Sequence, residues 1–171
     1  MIIALTGFMG SGKSTYGRRA SELSGFRFID LDTEIESKYG SISTIFSGSG
    51  EFFFRSKEKE TLKKILKKDE NIILALGGGT VIDEENVLIL KQTCTVVWLK
   101  APIEMIIYEI SKAPERPLLK GKSVKDIEEL FSSRIPFYKN AAEIIIETKN
   151  KSVEEVAKEI SKINPLSLLY P

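Results

Sequence analysis

The segment Gly7-Phe8-Met9-Gly10-Ser11-Gly12-Lys13-Ser14 decides the fold class of this chain. It fits the phosphate-binding pattern G-x-x-x-x-G-K-[ST], the P-loop, at every defined position. The apolar run 2–6 before it predicts a short buried strand. After it, Tyr16, Ala20 and Leu23 fall on one helical face and Gly25 predicts the helix end. A P-loop between a strand and a helix is the context that phosphate binding needs.

The chemistry of this motif follows from its residue types. Glycines allow the backbone to wrap closely around a phosphate with its N–H groups pointing inward. The helix that follows adds the positive end of its dipole. Lys13 can reach the outer phosphates, and Ser14 can ligate the Mg²⁺ that accompanies them. The alternative, a chance glycine-rich turn before a surface helix, is less favoured because both flanks fit.

Composition bounds the remaining possibilities. The 171 residues fit one domain, and a hydrophobic content of 42% with a net charge of +1 indicates an ordinary globular chain without a basic surplus for nucleic acid or anionic membranes. No apolar run approaches about 18 residues, and the start of the chain is interpreted as a core strand, so we expect no membrane span, no signal peptide and a cytoplasmic location. The single Cys94 excludes an internal disulfide and favours a packing role.

The chain contains no histidine. This absence excludes serine–histidine triads, H-E-x-x-H zinc sites and the H-R-D loop of protein kinases. Any acid–base chemistry must therefore use a carboxylate or a lysine.

Apolar runs recur along the chain with helical stretches between them. Five of these runs predict strands: 2–6, 26–31, 72–76, 95–99 and 143–147. The alternation predicts an α/β fold with a parallel five-stranded sheet and helices on both faces. Ligands of such sheets bind beyond the carboxyl ends of the strands.

The second run is followed by Asp30-Leu31-Asp32. Strand alternation would place Asp30 and Asp32 on the same side at the edge of the sheet. Two carboxylates facing a P-loop suit Mg²⁺, directly or through water, and a substrate hydroxyl. Helix capping is the alternative, because Thr33-x-x-Glu36 resembles a capping box, and both roles can hold at once.

A long amphipathic helix is predicted over 51–68. Glu51, Arg55 and Glu58 lie three and four residues apart, so the carboxylates could fix the guanidinium, although a surface ion-pair ladder has the same spacing. The aromatic residues near its start could be plain core; they are Phe46, Phe52, Phe53 and Phe54. Gly77-Gly78-Gly79 follows the third strand and predicts either close backbone approach to a ligand or a flexible turn.

Two later segments have possible functional roles. The segment 112–122 is basic, punctuated by proline and non-periodic, so it is either an inert loop or a lid that carries a cation to the γ-phosphate. Arg134 continues the apolar face of Ile127, Leu130 and Phe131, on a helix that Pro136 is expected to end soon afterwards. An arginine in this position either extends its charge to solvent or faces an anion.

Other P-loop classes do not fit. No D-x-x-G follows the P-loop, and Asn150-Lys151-Ser152-Val153 lacks the Asp of the guanine-reading N-K-x-D motif, which argues against a GTPase switch. No ABC-type signature is present, and the chain is too short for a helicase. A compact kinase of small molecules remains.

The assembled motifs resemble those of the shikimate kinases. The resemblance runs in family order through Gly7–Thr15, Asp30-Leu31-Asp32, Gly50-Glu51-x-x-Phe54-Arg55 with Glu58, Gly77-Gly78-Gly79, Arg116-Pro117-Leu118-Leu119 and Arg134-x-x-x-Tyr138. It implies one P-loop kinase domain over 1–171, with a substrate-binding segment at about 32–62 and a lid at about 112–122. The implied reaction is ATP-dependent phosphorylation of the shikimate 3-hydroxyl, in the pathway to chorismate and aromatic amino acids.

The resemblance also implies roles for individual residues. Lys13, Asp32 and Arg116, the lid arginine, would be catalytic, with Mg²⁺ on Ser14 and, through water, on Asp30 and Asp32. Contacts to ATP would come from Gly10, Ser11, Gly12, Lys13, Ser14, Thr15 and Arg116. Shikimate would be held by Asp32, Arg55, Gly78 and Arg134, between Phe46 and Phe54.

The family pattern is not matched everywhere. Relatives commonly carry a basic residue against adenine about seven positions before the lid arginine, where this chain has Glu109; Lys112 could substitute. Alternatives are a gluconate or adenylylsulfate kinase, or a catalytically idle nucleotide-binding module. The pair Arg55 and Arg134 favours a substrate with a carboxylate. A monomer that binds neither nucleic acid nor membrane is expected.

Overall fold

Five parallel strands form one sheet at the centre of the computed structural model, which describes residues 1–112 and 123–163. The strands are β1 (Ile2–Thr6), β2 (Arg27–Asp30), β3 (Ile72–Ala75), β4 (Thr95–Lys100) and β5 (Ile144–Glu147). Their order across the sheet is β2-β3-β1-β4-β5. The five predicted strands and their parallel pairing are confirmed, with ends that differ by at most one residue.

The helices fill the connections between the strands. They are α1 (Lys13–Ser24), α2 (Leu31–Tyr39), α3 (Ile42–Gly48), α4 (Gly50–Leu66), α5 (Glu84–Thr93), α6 (Ile103–Ser111), α7 (Val124–Ala141) and α8 (Val153–Ser161). A short 3-10 helix covers Thr80–Ile82. Gly25 ends α1 in a left-handed conformation, φ 74°, as its position predicts.

Side-chain alternation along the central strands divides the core into two layers. On one face Ile3, Leu5 and Val97 pack with Tyr16 of α1 and Val156 of α8. The opposite face, which includes Ala4, Leu74 and Val96, packs against residues of α2 to α7. Because β1, β3 and most of β4 are covered on both faces, these strands are continuous apolar runs.

The sheet register brings the functional segments to one edge. Leu5 of β1 is level with Ala75 of β3, and Asp30 at the end of β2 is also level with Ala75. The P-loop, the start of α2 and the glycine triplet 77–79 therefore leave the sheet side by side. Parallel strands place such loops at their shared carboxyl edge.

Several local expectations are wrong. Strand β2 ends at Asp30 and α2 begins at Leu31, so Asp32 lies in the first turn of a helix and not on a strand. Pro136 does not end α7, which continues to Ala141 because Tyr138 and Ala141 beyond it are buried. Packing of those side chains outweighs the loss of one intrahelical hydrogen bond.

Three apolar residues that the sequence placed on an apolar helical face or allowed in the core are exposed. Leu23 is 39% exposed, although Tyr16 and Ala20 on the same helical face are buried. Phe52 is 90% exposed and Phe53 is 36% exposed, whereas Phe54 is buried. Three consecutive helical residues point in directions about 100° apart, so only one of them can face the core.

No helix of residues 1–112 or 123–163 is both long and apolar enough to span a membrane. The expected lid, 112–122, lies outside the described residues except for Lys112, and so does its arginine, Arg116.

Candidate active site

The P-loop forms a backbone cradle at the start of α1. Gly10 and Gly12 adopt positive φ values of 79° and 86°, which residues other than glycine rarely adopt. At Gly7, an added Cβ would lie 2.8 Å from the carbonyl oxygen of Leu99 and 2.9 Å from Ser11 Oγ. The backbone conformation therefore requires glycine at positions 10 and 12, and the lack of space for a side chain requires it at position 7.

Polar groups of the cradle are positioned for an anion. The Lys13 ammonium donates to the carbonyl oxygens of Gly7 at 2.9 Å and Phe8 at 3.0 Å, which holds it across the loop. The buried hydroxyl of Ser11 has no hydrogen-bond partner among the described residues. A buried donor without a partner is costly, and a bound phosphate fits such a site.

Asp30 links the P-loop to α2. The Ser14 hydroxyl donates to Asp30 Oδ2 at 2.5 Å, while Asp30 Oδ1 accepts from the backbone N–H groups of Asp32 at 3.1 Å and Thr33 at 3.4 Å. Asp30 is thus the helix cap, and the expected Thr33-x-x-Glu36 box does not form, because Glu36 accepts instead from the N–H of Ile42 at 3.0 Å. One carboxylate oxygen caps and the other faces the P-loop.

Asp32 lies beside a second carboxylate, Glu58. Burial, followed by the charges of Glu58 and Asp30, raises the pKa of Asp32 to about 6, and Lys13 opposes the shift. A Cβ on Gly77 would lie 2.8 Å from Glu58 Oε1 and 2.9 Å from Asp32 Oδ1. The absence of a side chain at position 77 lets both carboxylates approach the backbone. A carboxylate with this pKa can accept a proton near neutral pH.

Arg55 is held by carboxylates, as its spacing predicts. Its guanidinium donates to Glu58 Oε2 at 2.8 Å and to Glu51 Oε1 at 3.2 Å. Only Glu51 is a surface partner, because the side chain of Glu58 is 1% exposed. The ring of Phe54 also lies 5.1 Å from the guanidinium carbon. These contacts fix the direction of Arg55 before any ligand arrives, so the surface-ladder alternative is wrong for Glu58.

Arg134 reaches the same place from α7. A Cβ on Gly79 would lie 2.7 Å from Arg55 Nη2 and 3.1 Å from Arg134 Nη1. Burial lowers the pKa of Arg134, and the positive charge of Arg55 lowers it further. Its side chain forms no hydrogen bond or ion pair with a described residue. Two guanidiniums that converge with incomplete neutralisation create a site for an anion.

Gly78 is fixed by its neighbours on both sides. Its carbonyl oxygen accepts a hydrogen bond of 2.7 Å from the hydroxyl of Tyr138, a residue whose burial raises the pKa of its phenol. A Cβ on Gly78 would lie 3.3 Å from the backbone nitrogen of Met9 in the P-loop. The glycine triplet is therefore an ordered wall, and the alternative of a flexible turn is not supported.

These groups line one cleft of about 790 Å³. Phe46 and Phe54 form part of its wall, with ring centroids 5.1 Å apart. The expected site residues that line it are Gly10, Gly12, Lys13, Ser14, Thr15, Asp30, Asp32, Phe46, Phe54, Arg55 and Gly78. Ser11 is buried within the P-loop and does not line the cleft, and Arg134 approaches the cleft at Gly79.

Glu109, where this chain departs from the family pattern, also lies at the cleft. Lys112 donates to Glu109 Oε1 at 2.9 Å, and its ammonium lies 3.9 Å from the centre of the Tyr108 ring. Both Glu109 and Lys112 line the cleft. Lys112 therefore lies at the cleft paired with Glu109, and its role as a substitute for the usual basic residue stays a prediction.

Sequence reasoning missed the supporting residues of the site. The glycine run predicts no separate role for Gly77 or Gly79, and no sequence pattern predicts that Thr80 donates to Glu58 Oε1 at 2.7 Å. A polar residue directly after a functional glycine run was the available signal. Its partner is 22 positions away, and sequence spacing does not reveal such a contact.

The donor set also fits Mg²⁺. Ser14 and Asp30 offer hard oxygen ligands at the mouth of the P-loop. In the described part of the chain, no group of three or more acidic, cysteine or histidine residues could hold a metal ion. An arrangement of few protein ligands suits Mg²⁺, which commonly completes its coordination with phosphate and water.

Comparisons with known proteins point in one direction. The family model described as "Shikimate kinase" matches residues 9–164. A shikimate kinase of Persephonella marina is 43% identical over 159 residues, which cover 92% of this chain and 95% of the relative. A shikimate kinase of Dictyoglomus turgidum is 40% identical, with 92% of this chain and 94% of the relative covered.

A solved structure gives the same result in three dimensions. The structure described as "Shikimate kinase from Acinetobacter baumannii in complex with shikimate" superposes with a TM-score of 0.88 and 35% sequence identity. The superposition covers 98% of this chain and 92% of the other.

Proposed function

The chain belongs to the shikimate kinase family, and we propose that it transfers the γ-phosphoryl group of ATP to the 3-hydroxyl of shikimate. The products are shikimate 3-phosphate and ADP, and the hydroxyl proton leaves through the protein. The convergence of Arg55 and Arg134 at Gly79, within one cleft that also holds the P-loop and Asp32, carries the proposal. The family match favours shikimate over gluconate and adenylylsulfate.

Substrate recognition is assigned to the two arginines. Arg55 and Arg134 present guanidinium groups to one place, and planar guanidiniums suit the two oxygens of a carboxylate. Arg134 has no acidic partner among the described residues, so a ligand carboxylate would supply the missing charge. The backbone of Gly78 and the rings of Phe46 and Phe54 then bound the space left for the ring of the substrate.

Asp32 is assigned to the reacting hydroxyl. Its carboxylate lies in the same cleft as the P-loop, and its pKa of about 6 leaves it mostly ionised at neutral pH. In phosphoryl transfer the transition state is loose, so alignment of the hydroxyl matters more than early removal of its proton. Asp32 orients the hydroxyl by accepting its hydrogen bond and receives the proton as the new P–O bond forms.

The P-loop is assigned to the phosphates. Backbone N–H groups around Gly10, Ser11, Gly12 and Thr15 bind oxygens of ATP, and Lys13 neutralises charge on the transferred group. Ser14, with Asp30 and Asp32 through water, would hold Mg²⁺, which supplies positive charge to the phosphate oxygens when bound. Arg116 is proposed as a further cation for the γ-phosphate; it lies outside the described residues.

The assembly of the site within one chain supports a further proposal, that the enzyme is active as a monomer. The described residues of a single chain bring the P-loop, Asp32, Arg55 and Arg134 together at one cleft. The near balance of 25 basic and 24 acidic residues supports a small-molecule role without nucleic acid. Light scattering during gel filtration would test the oligomeric state directly.

A coupled ADP-release assay tests the proposed reaction. Shikimate, gluconate and adenylylsulfate are offered separately with ATP and Mg²⁺, and the product is identified by phosphorus NMR. We expect ADP release with shikimate, matched by one phosphate ester on its 3-oxygen, and no more than background with the others. Release with gluconate or adenylylsulfate at an equal rate would overturn the substrate assignment.

A further inference from the structure

A buried chain of hydrogen bonds reaches the site from behind the glycine triplet. Asn86 of α5 donates through Nδ2 to the carbonyl oxygen of Thr80 at 3.1 Å, and the Thr80 hydroxyl donates to Glu58 Oε1 at 2.7 Å. Thr80 is fully buried, and Asn86 and Glu58 are each 1% exposed. The chain therefore joins α5, the 3-10 helix and α4 in a region that excludes water.

Thr80 itself has little freedom. Its backbone N–H donates to the carbonyl oxygen of Gly77 at 3.2 Å, and its own carbonyl is held by Asn86. A β-branched side chain already has few rotamers. With the backbone tied on both sides, the hydroxyl of Thr80 is directed at Glu58 by the fold.

Glu58 depends on this hydroxyl because each of its oxygens has one side-chain donor. Oε2 accepts from Arg55 Nη1 at 2.8 Å, and Oε1 accepts from Thr80. Two donors on opposite oxygens define the rotation of a carboxylate. If the Thr80 hydroxyl is removed, Oε1 becomes a buried acceptor of a charged group without a donor, which is a costly state that the side chain relieves by turning.

The rotation of Glu58 affects the groups that face the substrate. A Cβ added at Gly77 would lie 2.8 Å from Glu58 Oε1, 2.9 Å from Asp32 Oδ1 and 3.0 Å from Thr80 Oγ1, so these three oxygens surround one position. The Glu58 oxygen that Thr80 holds therefore faces the same small space as Asp32 Oδ1. On its other side the same carboxylate fixes Arg55, so a turn of Glu58 displaces the guanidinium.

We propose that Thr80 is a positioning residue of the kinase reaction, whose hydroxyl orients Glu58 and thereby holds Arg55 toward the substrate carboxylate. Thr80 acts through Glu58 and touches no reactant. The inference rests on the proposed function, since Arg55 binds the substrate carboxylate only if that function is correct. It adds a residue at which the hydroxyl, and not the volume, sets substrate affinity.

Three substitutions separate the hydroxyl from the volume of the side chain. Thr80→Val removes the hydroxyl and keeps the branched shape, Thr80→Ser keeps the hydroxyl, and Thr80→Ala removes it without adding a buried methyl. Since a hydrogen bond to a charged group is strong but only part of its effect reaches Arg55, we expect Thr80→Val and Thr80→Ala to raise the KM for shikimate about fivefold to tenfold. The KM for ATP stays unchanged, and Thr80→Ser stays close to wild type.

A double-mutant cycle tests the route through Arg55. In an Arg55→Lys background, Thr80→Val is expected to raise the KM for shikimate by less than about twofold, because the guanidinium that Thr80 helps to hold is gone. A full additional increase in that background would overturn the proposed route. Should Thr80→Val fail to fold, Thr80→Ala carries the same cycle.

The remaining outcomes are also decisive. A lowered melting temperature with an unchanged KM for shikimate would show that Thr80 only supports the fold, which overturns the proposal. A Thr80→Ser variant as impaired as Thr80→Val would assign the effect to the methyl group. Wild-type protein without shikimate-dependent ADP release would refute the proposed function itself, whereas active wild type with unaffected Thr80 variants refutes this inference alone.

Discussion

Arg55 and Arg134, two cations 79 positions apart in sequence, meet at the backbone of Gly79, where an added Cβ would lie 2.7 Å from Arg55 Nη2 and 3.1 Å from Arg134 Nη1. Such proximity is unfavourable unless negative charge is supplied. Glu58 and Glu51 supply it to Arg55, while Arg134 has no acidic partner in the described residues. The arrangement supports the proposal that these two guanidiniums bind an anionic ligand.

A methyl group at Gly79 tests this relationship. The backbone of Gly79, φ −114°, accepts any residue, and the nearest atoms are the far ends of two arginine side chains. We expect Gly79→Ala to fold with at most a modest loss of melting temperature but to raise the KM for shikimate at least about tenfold, because both guanidiniums must move and Arg55 must shift from its carboxylate partners. Gly48→Ala is the matched control, since a Cβ added at position 48 would have no neighbouring atom of the described residues within 4 Å. Equal kinetics of the two variants would contradict the assignment.

Replacing each arginine by lysine tests recognition of the carboxylate. A hydrogen bond to a charged group is worth about 1.5–3 kcal/mol, so Arg55→Lys and Arg134→Lys should each raise the KM for shikimate about tenfold to 150-fold. The KM for ATP should barely move. Arg19→Lys, at a surface ion pair with Glu22, is the control and should match wild type.

The same variants predict the response to a neutral ligand. A shikimate amide should bind much more weakly than shikimate to wild type, and the difference should shrink in Arg55→Lys and Arg134→Lys because the charged pairing is already impaired. Competition against shikimate gives the inhibition constants. An amide penalty of the same size in all three proteins would mean that these arginines do not contact the carboxylate.

Asp32→Asn should separate activity from stability. Without a carboxylate to receive the proton and align the hydroxyl, kcat is expected to fall by about a hundredfold or more. The pKa of Asp32 lies near 6 in the folded protein against an ordinary value of 3.8, so the folded state binds the proton more tightly. Wild type therefore loses stability as pH rises through about 4 to 6, and Asp32→Asn does not.

Two measurements check this prediction. Melting temperatures between pH 4 and pH 8 should show the asparagine variant gaining on wild type as pH rises, and being the more stable protein at neutral pH. The wild-type profile of kcat/KM should fall on the acid side of about pH 6. A variant that is less stable than wild type at pH 7 would indicate that Asp32 is a structural residue.

Lys13→Ala tests the role of the P-loop. Loss of one preorganised charge-stabilising group predicts a fall in kcat of at least about a hundredfold. The melting temperature should change little, since the hydrogen bonds lost include contacts to the loop carbonyls of Gly7 and Phe8 at a partly buried position. Lys64→Ala, which removes an exposed ion pair with Glu60, is the control. Near-normal turnover of Lys13→Ala would remove this lysine from the mechanism.

Local sequence patterns determined the framework of this protein. The five apolar runs and the P-loop with its flanking strand and helix each reflect interactions between residues close in the chain. The i, i+3 and i, i+4 spacing likewise predicted the pairing of Arg55 with Glu58 and Glu51.

Only the tertiary structure decided how distant groups combine. It placed Asp32 on a helix instead of a strand, because the side chain of Asp30 captures the N–H groups that begin α2. It also carried α7 through Pro136, brought Arg134 to Arg55, and joined Thr80 to Glu58. These outcomes depend on packing and electrostatics between elements far apart in sequence, whose sum no local pattern of residues encodes.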